Sequence, residues 1–173
     1  MTDLNLIVED GSNVSNANTY YSLASADNYF EKRGETVWIA YDDGDKTYAL
    51  VKACQYMQTL VWKGIKTNQY QALSWPRIGI LDEDSYSIKS NVIPERVKWA
   101  QAEIAYRFIL DTDVQPDIAA GSGSVIMERV DVIEIRYANS GKSVNKIYQR
   151  VNSLLSPFLK YGNSNCVIEL VRG

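Results

Sequence analysis

Trp75-Pro76 sets a rigid corner near the middle of a 173-residue chain. Proline locks its own φ and drives the residue before it towards an extended conformation, so the corner carries a large ring in a restricted position. Arg77 follows, and Gly79 permits a further bend. Ile93-Pro94 then restarts regular structure. Pro94 sits at the first helical position, where its missing donor costs nothing, and Glu95 suits the positive end of the helix. Val97, Ala100, Ile104, Ala105 and Phe108 form one face of a helix that ends near Leu110. Everything before Leu73 has to pack against this corner and helix.

The preceding segments read as helices. Leu4 to Glu9 alternates and reads as a short strand, and Gly11 to Asn18 is a polar loop. Ser22 is an N-cap for a helix from Leu23 to Arg33, with Leu23, Ala26 and Phe30 on one face and Gly34 as its left-handed stop. Glu35 to Tyr41 forms a further turn that buries Val37 or Trp38. Asp45 caps a helix over Lys46 to Val61, where Leu50, Ala53, Cys54, Met57, Leu60 and Val61 make an apolar stripe. Trp62 ends it, Gly64 marks the exit, and a polar connection with Lys63, Lys66 and Tyr70 runs to Ala72.

After Leu110 the pattern changes. Residues 111–123 contain Pro116, Gly121 and Gly123 and read as a linker. Val125 to Val130 and Val132 to Ala138 alternate with period two around a short turn, which predicts an antiparallel hairpin. Ser143 caps a last helix carrying Ile147, Val151, Leu154 and Leu155, which Pro157 ends or kinks, and Cys166 to Val171 reads as a closing strand. The expected fold is therefore mainly α, with minor α+β character. Residues 1–110 form a small helical bundle with an N-terminal strand, and residues 124–173 carry the hairpin, a short helix and a terminal strand.

Composition excludes several classes of function. The chain has no histidine, which removes the commonest general base and metal ligand. Cys54 and Cys166 fit no metal spacing, Cys54 reads as a small core residue, and a disulfide framework is not expected. No apolar run is long enough to span a bilayer and no signal-peptide pattern stands at Met1 to Asp10, so a soluble protein made in the cytoplasm, with no membrane partner, is expected. The net charge of −3 divides into −6 over residues 1–50, zero over 51–123 and +3 over 124–173. No basic stripe of the kind a double-stranded DNA binder carries is visible.

Candidate sites are few. Asp82, Glu83 and Asp84 could hold a hard cation, but they lack the ligand spacing of a calcium loop and read as a solvated acidic turn. Gly121-Ser122-Gly123 lacks the rest of a phosphate loop. No nucleophile elbow, zinc motif or cofactor motif is present, so the expectation is a non-enzyme without metal or cofactor. Single-stranded nucleic acid would need aromatic rings beside cations. Three pairs qualify by sequence: Trp62 with Lys63 and Lys66, Trp75 with Arg77, and Trp99 with Lys98. Against them stand plainer readings, with Trp75 packed on the bundle, Trp99 at the edge of a helix interface and Arg77 paired with Asp82 or Asp84.

The residues resemble a phage protein family. The pieces are Ile7-Val8-Glu9-Asp10-Gly11 with Asn18-Thr19-Tyr20, Ser22 to Gly34, Gln71 to Gly79, Ile93-Pro94 with Val97-Lys98 and Arg107, Leu154-Leu155-Ser156-Pro157, and the closing Leu170 to Gly173. Its members are often labelled DnaT-like single-stranded DNA-binding proteins and are similar to head-to-tail adaptor (connector) proteins of tailed phages. Ser85 departs from the family's turn, where glycine is expected, and the Val130-Asp131 turn lacks the usual glycine-proline character. The resemblance implies an adaptor subunit of the virion neck. Copies form a ring of about twelve, matched to a dodecameric portal, through which genomic DNA passes without sequence-specific binding. Partners would be the chain itself, the portal protein and tail or tail-completion proteins. The alternatives are a genuine single-stranded DNA-binding protein and another tail-completion or capsid-accessory protein. On this reading the interaction residues are Trp75, Pro76 and Arg77 at the docking loop, Pro94, Lys98 and Arg107 on the ring-organising helix, and Arg129, Glu134 and Arg136 on a hairpin that meets portal or tail. Residues 111–173 are expected to order only on assembly.

Overall fold

The computed structural model describes residues 5–110 and 149–160 in full, and the backbone of residues 126–130 and 133–137. It is mainly helical and divides into two compact units. One comprises residues 1–112 and 148–173, the other residues 113–147. The expected linker at 111–123, the Ser143 cap and the strand at Cys166 to Val171 lie outside the described residues.

In the first unit α1 spans Leu23–Glu31, and the Ser22 hydroxyl accepts from the Ser25 amide at 3.2 Å, as its position before the apolar face predicts. The chain leaves this helix through Gly34 at φ +69°. The following turn is a short helix, α2 (Thr36–Ala40), which buries Trp38 and leaves Val37 exposed. α3 runs over Asp43–Gln58 and begins earlier than expected. Its cap is Asp42, whose carboxylate accepts from the Asp45 amide at 2.9 Å. The Asp-Asp-Gly-Asp run looks like a turn because its acids are poor interior helix formers, yet in a first turn they suit the helix dipole. At the other end, Leu60 and Val61 fall beyond the helix, and Val61 is exposed.

α4 (Glu95–Leu110) follows Pro94 directly. It packs along α3, and its buried face is wider than the apolar stripe, taking in Gln101 and Glu103. Gln101 is fully buried and ties three segments together: its carbonyl accepts from the Tyr20 amide at 2.8 Å, and its amide donates to Thr19 Oγ1 at 2.7 Å and to the Leu50 carbonyl at 2.9 Å. A buried amide with this many partners is fully satisfied and specifies one packing.

The N-terminal strand does not form. Within residues 5–9 the only ladder contact is a parallel bridge from Val8 to Thr19, and the segment is held by Asn18 and by the Glu9 amide on the Thr19 carbonyl. The two-residue strands β1 (Ile65–Lys66) and β2 (Arg77–Ile78), unexpected in a polar connection, pair antiparallel as a ribbon. α5 (Gln149–Leu155) and a 3-10 turn over Ser156–Phe158, where Pro157 interrupts the α-helix, pack on the same unit. By sequence these residues group with the hairpin. Instead, Val151, Leu155 and Phe158 are buried in the core. Backbone bonds from Lys63 to Phe158 and from Lys160 to Val61 flank a Trp62–Leu159 bridge. Apolar burial and strand pairing together hold them.

In the second unit β3 (Ile126–Val130) and β4 (Ile133–Tyr137) form the expected antiparallel hairpin, with Arg129 opposite Glu134 and Val130 opposite Ile133.

Two consequences are measurable. Gly11 adopts φ +108°, and a Cβ there would lie 2.0 Å from the Asn91 carbonyl oxygen. Gly11→Ala should therefore destabilise by about 3 kcal/mol in chemical denaturation. Cys54 is 1% exposed and burial pushes its thiol up to about 12. In a Cys166→Ser background the native protein should take up no thiol reagent at pH 8, and full labelling should appear only on unfolding.

Candidate interaction surface

The corner at Trp75 is interior. The Trp75-Pro76 peptide is cis, Trp75 is fully buried, and its ring meets Trp62 and Phe158 edge-on at centroid distances of 5.8 and 5.7 Å. Its backbone amide donates to the Tyr20 hydroxyl at 3.1 Å. Burial pushes that hydroxyl well above the usual phenol range. Gln71 holds the turn from inside, donating to the Leu73 and Pro76 carbonyls at 2.8 and 3.1 Å while accepting from Thr67 Oγ1 and the Asn68 amide.

Arg77 does not pair with Asp82 or Asp84. Its guanidinium donates to three backbone carbonyls, those of Lys63 at 2.6 Å, Ser74 at 2.9 Å and Gly64 at 2.8 Å. It is 9% exposed, and burial lowers its pKa. The planar five-donor fork suits this arrangement because it can serve several acceptors in one plane. Asp82 serves its own turn, accepting from the Asp84 and Tyr86 amides, and Glu83 forms a bidentate pair with Arg96. Ser85, where the resemblance leads glycine to be expected, adopts φ +68°, so the turn has the left-handed geometry that glycine favours.

The remaining sequence candidates scatter. Pro94 is half-buried at the start of α4, and Lys98 is bonded to Glu95 at 2.7 Å. The Arg107 guanidinium lies 6.0 Å from the Tyr106 ring centroid. Arg129, Glu134 and Arg136 belong to the second unit, where only backbone register is described. Trp75, Pro76 and Arg77 thus act together as an internal clamp, and the structure does not gather the others into one site. Of the three aromatic–cation pairs, Trp62 and Trp75 are buried, and Lys63 donates to the Pro157 carbonyl at 2.8 Å. Trp99 alone is 36% exposed, stacked on Tyr29 at 6.2 Å, with Arg33 5.2 Å from the Tyr29 ring centroid. Arg33 and Arg150 both reach the buried Glu103 carboxylate, at 3.7 and 2.6 Å.

What the sequence did not reveal is where large apolar side chains are left outside. They concentrate in two places. One is the ribbon and its flanks, with Val61, Ile65, Tyr70, Ile78, Leu81 and Tyr86 exposed, Ile65 at 67% and Tyr70 at 84%. The other comprises α2, the start of α3 and the end of α4, with Val37, Ile39, Tyr41, Tyr48 and Leu110 exposed. Here Tyr41, Asp45 and Tyr48 line a shallow hollow with Phe108 and Ile109. A signal was present for the first place, since β-branched and aromatic residues interrupt a polar connection, but periodicity could not show that they face outwards. Among the described residues no group of three carboxylate or thiol side chains is placed to hold a metal ion, and no helix is long and apolar enough to cross a membrane.

A family model described as "Putative DnaT-like ssDNA binding protein" matches residues 4–173, and the chain belongs to that family. No curated protein and no solved structure matches it.

Removing the Arg77 fork leaves three carbonyls short of a donor. Arg77→Ala should destabilise by about 3 kcal/mol, a Tm fall of roughly 10 °C, and Arg77→Lys should recover less than half of it. Recovery of full stability by lysine would show that charge alone, and not the fork, holds the loop.

Proposed function

We propose that this family member is a structural subunit that works by assembling. In this reading it is the head-to-tail adaptor of a tailed-phage neck, made in the host cytoplasm and built into the virion as a ring between portal and tail. It performs no catalysis and needs no cofactor. Genomic DNA passes through the ring without sequence-specific contacts. The observation that carries the reading is that large apolar side chains stay exposed both along the ribbon and around α2 on one small helical unit. Exposed apolar patches mark contact surfaces, and a ring subunit needs two different ones. The fate of the cations supports it too. Of the basic residues beside tryptophans, Lys63, Arg77 and Lys98 are each bonded within the protein, and Lys66 is exposed. Cations engaged in this way are poorly placed to hold a phosphate backbone.

Single-stranded DNA binding is the second reading, and the family description speaks for it more directly than for a phage neck. Its structural support is the exposed Trp99 ring, pre-stacked on Tyr29 near Arg33. Stacking on such a ring is tolerant of sequence and suits unpaired bases. A tail-completion or capsid-accessory role would use the same kind of surfaces at another position in the particle.

Two measurements separate these. Quantitative mass spectrometry of purified virions should find about twelve copies per particle, as a ring matched to a dodecameric portal requires; absence from the virion sinks the adaptor. Titration with an unstructured oligonucleotide at several salt concentrations should show only weak binding. Micromolar or tighter affinity that falls steeply with salt and drops about tenfold in Trp99→Ala would establish the second reading instead.

A further inference from the structure

Residues 149–160 are attached to the first unit differently from its other segments. They rejoin it after residues 111–148 and form only a short helix and a 3-10 turn. A helix as short as α5 has no stability of its own. Val151, Leu155 and Phe158 enter the core, and the burial of these side chains is set against the ordering of the whole segment. The surplus that holds the segment in place is therefore small.

Lifting it strands little. Arg150 reaches the Glu103 carboxylate at 2.6 Å, but without it Glu103 keeps the Tyr29 hydroxyl at 2.8 Å and Arg33 at 3.7 Å. Lys63 Nζ and the Pro157 carbonyl, joined at 2.8 Å, are already exposed to water. The bonds that Gln71, Arg77 and Gln101 make to the loops include no atom of residues 149–160. The Trp75 ring meets Phe158, yet its indole N–H is buried without an acceptor, and an unpaired buried donor weakens the closed packing. On one side of the Ser156-Pro157 turn lies a hollow of about 520 Å³ lined by Gly79, Leu81 and Ser85, so the turn is not hemmed in there.

The surface beneath has the form of a peptide site. The Lys63 amide donates to the Phe158 carbonyl at 2.8 Å, and the Lys160 amide donates to the Val61 carbonyl at 2.9 Å. With the antiparallel Trp62–Leu159 bridge between them, the segment adds to residues 61–63 as a strand would. Beside this pairing the Phe158 ring sits edge-on to Trp75 at 5.7 Å. Main-chain bonds along an edge, with side chains in adjoining pockets, are how extended peptides are recognised.

We infer that residues 149–160 are a removable strap, an internal ligand that closes a peptide-binding groove along residues 61–63. Lifting the strap opens the groove to an extended segment of another protein that carries an aromatic residue followed by an aliphatic one, as Phe158-Leu159 does. The strap works in the same way in a neck subunit and in a DNA-binding protein, so the virion count does not bear on it.

A synthetic peptide of residues 149–160 tests it. The full-length variant Leu155→Asp/Phe158→Asp disables the strap and should keep its helical circular dichroism. A tethered segment has an effective concentration of about 1 mM. A strap that stays closed in the wild type therefore requires the free peptide to bind the variant with a Kd of about 100 μM or tighter. The wild type, its groove occupied, should bind the peptide roughly tenfold more weakly or less. Hydrogen exchange of the wild type should show the amides of Lys63, Leu155 and Lys160 opening together, about tenfold more often than those of Ala53 on α3 and Ile104 on α4. These openings should share a denaturant dependence that fraying lacks. A folded variant that does not bind the peptide overturns the inference, as does a wild type that binds it as well as the variant does. Strap amides that exchange only when α3 and α4 do overturn it too. Where the variant does not fold, exchange in the wild type decides.

Discussion

The Arg77 guanidinium is the contact on which the middle of the molecule depends. The chain between α3 and α4 is long and contributes only a two-residue-per-strand ribbon, isolated bridges and turns. Such a segment leaves many backbone carbonyls without ladder partners, and those facing inwards need donors. Arg77 supplies three of them from one rigid group, reaching Lys63, Gly64 and Ser74. Gln71 supplies two more, at Leu73 and Pro76. With these in place, Trp75 stays under Trp62 and Phe158, and the C-terminal turn has a surface to pack against.

The same solution recurs around α4. Gln101 serves Thr19, Tyr20 and Leu50, and Glu103 receives Tyr29, Arg33 and Arg150. Each of these buried polar groups joins segments far apart in the chain. Buried polar groups are costly when incomplete, so a set whose members are partnered selects one arrangement over its near neighbours. Apolar packing between α3 and α4 supplies most of the driving force, and these contacts decide how the loops lie on it. One result is a rigid frame whose apolar side chains at the two ends of α3 remain outside.

Most of the helical architecture was legible. Ser22 before an apolar face gave the start of α1, Gly34 its end, and Pro94 the start of α4. Alternation of Ile133, Ile135 and Tyr137 with Glu134 and Arg136 gave the hairpin. The misses share a cause. Leu4 to Glu9 alternates like a strand, but a strand needs a partner in register, and Thr19 offers only one bridge. Arg77 looked like a partner for Asp82 or Asp84 because opposite charges lie close in sequence, whereas the desolvated position beside three carbonyls was created by the fold. Residues 149–160 looked like part of an appendage because they follow the hairpin, and only the Trp62–Trp75 surface shows what they cover.

By itself the sequence determined which segments of the bundle are helical, where α1 and α4 begin, and that a corner stands at Trp75-Pro76, because capping, periodicity and proline geometry act over a few residues. Tertiary structure alone decided which polar groups are consumed inside and which apolar groups are left outside. Arg77 became an internal clamp, while Ile65 and Ile78, residues that by type belong in a core, became surface. Burial depends on what the rest of the chain brings alongside, and no local pattern records that.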